Sequence, residues 1–334
     1  MTTISAKVIA DSISPEGIRL TSMQLKYPRS IHAELMTHRV FSRNASSSRA
    51  VPVPRMIQEI RDDPVIPLWW GTNQPGMQAF QENTVSPFAD MNLDGHMELF
   101  YGPEDLWLTA MEHAIAAAEG FYKPSYEGEK QGYHKQVINR LLEPFSHISV
   151  IVTATEWNNF FNLRLDSGAE PHMRALSYKT YEARSESRPN CLKPGDWHLP
   201  YFNPITDCKR LCDHFKTKTY DPVYERRIST ARCARVSYLN HEGKDPSLEE
   251  DFTLYDRLME QRPVHASPPE HQATPDTKGW FGRWKNPKLH GNLNGWIQFR
   301  KTLPYENATN PVPPGLLVPD KMLSTVLGRL KNAA

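Results

Sequence analysis

The sequence predicts an α+β fold, an antiparallel sheet flanked by helices, and three observations predict it. Residues 5–11 and 17–24 alternate apolar and polar side chains around Pro15, Glu16 and Gly17, the pattern of a hairpin. Residues 148–156 form a β-branched run suited to a buried strand. Several other segments repeat apolar residues at helical spacing.

In chain order, the hairpin's second strand leads into a short helical segment from Ser30 to Met36. That segment delivers a run rich in Arg and Ser, Thr37 to Arg49. The prolines of the Val51–Pro54 stretch are expected to forbid a helix and hold the chain extended. Residues 52–132 are rich in Pro, Gly, Asn and Trp and are read as an insertion. Within it Leu108, Met111, Ile115 and Ala118 mark a helix, and its Trp and Met side chains are expected in a core. A further helix over 134–143 ends at Pro144 and precedes the buried strand. Ser167 and Glu170 have the spacing of a capping box for a long helix whose apolar face includes Ala169, Met173, Leu176 and Ala183, with Thr180 a polar interruption. Residues 188–227 read as irregular. Ser247 and Glu250 form a second capping box; Phe252, Tyr255, Leu258 and Met259 give its helix one face, and Pro263 stops it. The whole is expected to be one catalytic domain over 1–334, in blocks 1–50, 51–132, 133–187, 188–227 and 228–334.

With 39 basic and 38 acidic residues, the net charge of +1 steers the chain neither to nucleic acid nor to a membrane surface, so anion binding must be local. No run of about 18 apolar residues is present, and the N-terminus lacks the pattern of a signal peptide. A cytoplasmic protein is expected, with no stable nucleic-acid or membrane partner. Four cysteines are too few for a disulfide framework in 334 residues. Cys208, Cys212 and His214 have the residue types for a metal site at a weak spacing, and no metal is assigned.

Thr37 to Arg49 carries one imidazole, three guanidiniums and five hydroxyls in thirteen residues. Such a run suits anionic oxygens: guanidinium forks grip phosphate, and hydroxyls and Asn44 fill the gaps. A solvated basic loop is the plain alternative. The order H-R-x-x-S-x-N-x-x-S-x-R, at His38, Arg39, Ser42, Asn44, Ser47 and Arg49, resembles the signature of the flavin-dependent thymidylate synthases. Thr37, Ala45, Ser48 and Ala50 depart from that signature, as does Glu34, where the family carries glutamine. Residues 157–186 resemble the family's second region, an asparagine and an N-L-R triplet before a long helix. Residues 228–275 resemble its opening: a strand end, an acidic helix and an H-x-S/T-P-F-E-H run, with Pro269 in place of phenylalanine. That opening follows the signature here by about 200 residues, the arrangement a circular permutation gives.

The resemblance implies a flavin-dependent thymidylate synthase-like sheet with insertions, and methylation of dUMP with FAD, methylenetetrahydrofolate and NADPH. It also implies a homotetramer with active sites shared between subunits. Carried over residue by residue, Arg164 is the catalytic arginine gripping the uracil ring; Glu34, Ser47, Ser48, Arg49 and Arg140 complete the dUMP set. His38, Arg39, Asn44, Asn159, Ser237, His265, Ser267 and Glu270 fall on flavin positions. On chemistry alone, a salt bridge to Asp166 or Glu156 is the alternative reading of Arg164, and metal ligands or plain surface residues are the alternatives for His265, Glu270 and His271. Without a thiolate to add to the pyrimidine, an arginine stabilising charge on the ring is the alternative activation, and flavin is the redox partner. Two competitors remain: a related flavin- and folate-dependent enzyme that hydroxymethylates or otherwise alkylates a pyrimidine nucleotide, and a non-catalytic nucleotide- or RNA-binding protein using the basic loop. Residues 291–301 alternate in character, are expected to form a strand or helix edge against the flavin region, and carry no assigned chemical role.

Overall fold

The structure is a computed structural model that describes residues 2–83, 88–91, 97–100, 102–123, 132–236, 246–307 and 314–331. The strands are β1 (Ser5–Ile13), β2 (Arg19–Pro28), β3 (Ser42–Ala45), β4 (Phe88–Met91), β5 (Met97–Phe100), β6 (His147–Ala154), β7 (Asn190–Cys191), β8 (Ala273–Pro275) and β9 (Trp296–Gln298). The α-helices are α1 (His32–Met36), α2 (Val53–Asp62), α3 (Pro103–Tyr122), α4 (Lys135–Leu142), α5 (Asn158–Arg164), α6 (Pro171–Glu186), α7 (Thr206–Phe215), α8 (Val223–Arg235), α9 (Leu248–Glu260) and α10 (Lys321–Lys331). Together they make an α+β architecture, as expected.

The main sheet has the order β3-β6-β2-β1-β7 and is antiparallel apart from the short β1–β7 pairing. Side chains alternate across a sheet, so each strand serves two layers. One face buries Met23, Leu25, Tyr27, Ile148, Val150, Val152 and Ala154 against Trp157, Phe160 and Phe161 around α5 and Met173 and Leu176 of α6. Each large apolar side chain so removed from water contributes about 1.5–3 kcal/mol. The opposite face carries a polar row in register, Ser42 beside Thr153 and Thr153 beside Ser22. The block after residue 190 lies over this row: His198 reaches Ser12 and Ser22, each at 2.8 Å, and His271 reaches Thr153 at 2.8 Å. Beside these bonds, Leu20 packs with Ala273, Leu293 and Trp296, and Ile151 packs with Cys233 and Val236.

Several sequence expectations change. Val53 begins α2 with Pro54 inside its first turn, where a missing N–H costs nothing, so the prolines open a helix instead of forbidding one. Ser167 caps nothing: the Glu170 side chain accepts from Met173 N at 2.8 Å and starts α6, with Pro171 in its first turn. Thr180 is buried and returns its hydroxyl to the Leu176 carbonyl at 2.7 Å. Residues 188–227 are not irregular throughout, since α7 and the start of α8 lie there. Of the A-R-x-S-Y run at 234–238, read by resemblance as a strand end, Ala234 and Arg235 finish α8 as helix, and Ser237 and Tyr238 lie outside the described residues. The Ser247–Glu250 capping box is present as expected. In the insertion, Met56, Met111 and Ile115 form a second core with Ile138 and Leu142, while Trp69 and Met77 are exposed. No helix among the described residues is long and apolar enough to cross a membrane.

Candidate functional site

The signature segment divides its work by strand alternation. In β3, Ser42 and Asn44 point toward the late block, while Arg43 turns to the other face. Arg43 donates to the Leu35, Met36 and His38 carbonyls, a cation on the open C-terminal end of α1. Asn44 spends both ends of its amide: Nδ2 donates to the Cys233 carbonyl at 2.8 Å, and Oδ1 accepts from Ser267 Oγ at 3.3 Å. Late residues 189 and 223 positions further along the chain therefore meet at one early side chain.

Arg164, the last residue of α5, lies over the other end of the loop. Its Nε donates to His38 Nε2 at 3.1 Å, Nη1 to Glu34 Oε2 at 3.0 Å, and Nη2 to the Glu34 carbonyl at 3.3 Å and Thr37 Oγ1 at 3.1 Å. The partner of Arg164 is thus Glu34, neither Asp166 nor Glu156. Among the described residues, four of the five guanidinium hydrogens have partners, and one N–H on Nη1 remains. The His38 ring packs on Phe41 and edge-on to Phe160. Burial, and then the Arg164 charge, lowers its pKa to about 4, so at neutral pH it accepts from Arg164. Burial raises the Glu34 pKa while Arg164 pulls it back.

A second group forms at Glu143. Its Oε1 accepts from Ser48 Oγ at 2.6 Å and from Arg140 Nη1 at 2.9 Å. Asn139 Nδ2 holds the Ser48 carbonyl at 2.7 Å. Arg140 is well exposed, so this ion pair is worth about 0–1 kcal/mol. Ser47 is half-buried with its carbonyl accepting from Ala50 N, and Arg39 and Arg49 are exposed.

The structure thus brings Glu34, His38 and Arg164 into one cluster, Asn44, Ser267 and Glu270 into another reached through β3, and Ser48 with Arg140 into a third. Glu270 is ion-paired with Arg300, and burial raises its pKa. Asn159 is exposed on α5, one residue before the Phe160 ring that packs on His38, and His265 is half-buried with its pKa lowered by burial. Ser237 lies outside the described residues. Cys208, Cys212 and His214 face separate partners, and among the described residues no His, Cys, Asp or Glu group is arranged to hold a metal. Sequence reasoning missed Asn292 and Gln298, whose amides reach Ser42. The signal for them was the pair of glycines at 291 and 295 beside an asparagine and a following glutamine.

Three comparisons bear on the chain. No protein-family model matches it, and no curated protein matches it. Among solved structures, it is similar to a crystal structure of the UMP/dUMP methylase PolB from Streptomyces cacaoi bound with 5-Br dUMP. The identity is 10%, the match covers 56% of this chain and 91% of that one, and the TM-score is 0.36.

Proposed function

We propose that this chain is a flavin-dependent thymidylate synthase. It would move one carbon from methylenetetrahydrofolate to C5 of dUMP, with NADPH supplying the two electrons that turn methylene into methyl. The observation that carries this reading is the meeting of the three motif blocks: Ser267 bonds Asn44, and Arg164 bonds His38, Glu34 and Thr37.

Arg164 has the properties the chemistry asks of it. It is held from three sides, and a fixed guanidinium N–H beside a pyrimidine carbonyl stabilises charge that develops on the ring without reorganising first. Because Glu34 offsets its charge, Arg164 suits a neutral base edge better than a phosphate. Arg140 with Ser48, together with the exposed Arg49, suits the phosphate.

The flavin assignment fits the donor set in part. Asn44, Ser267, His38 and Glu270 are engaged within the chain and shape the wall, while Arg39, Asn159 and His265 keep groups available to a cofactor bearing phosphates and a planar ring. Flavin, when bound, supplies the hydride transfer.

The test is a visible spectrum of the protein loaded with FAD, followed by incubation with dUMP, methylenetetrahydrofolate and NADPH. Flavin bands and a product with the mass of dTMP are expected. A product carrying hydroxymethyl would replace this reading with the hydroxymethylase. Protein that takes up no FAD and leaves dUMP unchanged would refute both and favour a binding role for the basic loop.

A further inference from the structure

We infer that Asn292 and Gln298, which lie in none of the motifs, are positioning residues of the candidate site: their amides clamp the signature loop to the late segment. The activity readout rests on the proposed function; the clamp itself does not.

Asn292 Nδ2 lies 2.9 Å from the Val40 carbonyl and 3.0 Å from Ser42 Oγ, to both of which it donates. Its Oδ1 accepts from Ser42 Oγ at 3.1 Å and Gln298 Nε2 at 3.0 Å. Gln298 is 1% exposed, and its Nε2 also reaches the Glu270 carbonyl at 3.0 Å and Ser42 Oγ at 3.3 Å. One primary amide is thus bonded to both halves of the site. Val40 and Ser42 flank Phe41, which stacks on His38, so holding them sets where His38 and Arg39 stand.

The turn that presents Asn292 is built for close approach. Gly291 has φ +58°, and a Cβ there would lie 2.5 Å from Gln298 Oε1. Gly295 has φ +79°, and a Cβ there would lie 2.4 Å from Ile18 Cδ1. Both positions favour glycine in conformation and in space. His290 anchors the turn: its Nδ1 accepts from Gly295 N at 3.2 Å, and its Nε2 bonds Asp276 Oδ2 at 2.9 Å.

Asn292→Asp and Gln298→Glu keep size and shape but set an oxygen against the Val40 or Glu270 carbonyl. Losing such a bond and leaving an unmatched acceptor is expected to speed amide exchange of residues 41–45 by about tenfold or more, with the β1–β2 hairpin unchanged. In turnover, kcat per folded molecule, with the folded fraction measured by circular dichroism, should fall about tenfold while KM for the folate stays within about twofold, a loss that a merely smaller folded fraction does not give once it is divided out. If either charged variant fails to fold, Ser42→Ala replaces it, because it removes the shared hydroxyl and leaves the two amides bonded to each other; the same local loosening is expected. Unchanged exchange at 41–45 overturns the clamp, as does loosening spread evenly over the sheet. Wild-type protein without turnover, whose variants still loosen 41–45, would refute the proposed function and support the clamp.

Discussion

Lowering the pH from 7 to 4.5 should cost this fold about 5 kcal/mol through His198 and His271 alone. Both are buried, at 1% and 0% exposure, and both use ring nitrogens on sheet hydroxyls. Among the described residues, His271 Nε2 has no hydrogen-bond partner. Burial pushes each pKa down to about 3; Asp11 pulls that of His198 partly back, and His198 pushes that of His271 further down. A histidine whose folded pKa lies below its unfolded value of about 6.5 gives its full contribution above 6.5 and loses it as pH falls toward the folded value. At pH 4.5 each is about two units into that window, at about 1.36 kcal/mol per unit, which gives the total for two. His38 and His147, each lowered to about 4, act in the same direction, and His172, raised through Glu170, acts against them. Carboxylates held low, such as Asp207 and Asp276, are lost only below about pH 4 and fall outside the window. Urea unfolding at pH 7, 6, 5 and 4.5, with potentiometric proton uptake at pH 5, checks this. Uptake of about two protons from this pair is expected, and His271→Gln should remove about half of it. Uptake below about one proton, or a His271→Gln variant with the wild-type slope, would refute the neutral buried pair.

Arg164→Ala should lower dTMP formation by about a hundredfold or more while FAD absorption persists. The same change removes a cation beside His38, so an NMR titration should find the His38 pKa higher than in wild type; wild-type turnover would dismiss the catalytic role. Asn44→Ala strips partners from the buried Cys233 carbonyl and from Ser267, and should cost about 1–3 kcal/mol in urea unfolding, where a smaller loss would mean that water replaces the amide.

Alternation made the hairpin legible, β-branching the β6 strand, and Ser247 with Glu250 the start of α9, because each signal is local. The start of α2 was hidden because proline breaks a helix interior yet favours its first turn, so position and not identity decides. Ser167 looked like a cap, but Glu170 stands nearer the free N–H groups of a helix that opens on Pro171. At the site, the resemblance to the family signature picked out Ser42 and Asn44, and the strand period of two explains why both reach one face. Spacing did not find Glu34 as the partner of Arg164, a contact between residues 130 apart, nor the amides of Asn292 and Gln298, which match no motif.

The β3 strand that bears the signature is also the outermost of its sheet, and only four residues long. A row of open backbone groups at such a margin invites another chain to add on. Here the Val40 carbonyl, just before it, is taken by an Asn292 side chain. The amide that orients the loop therefore also occupies a backbone acceptor where the chain enters that margin.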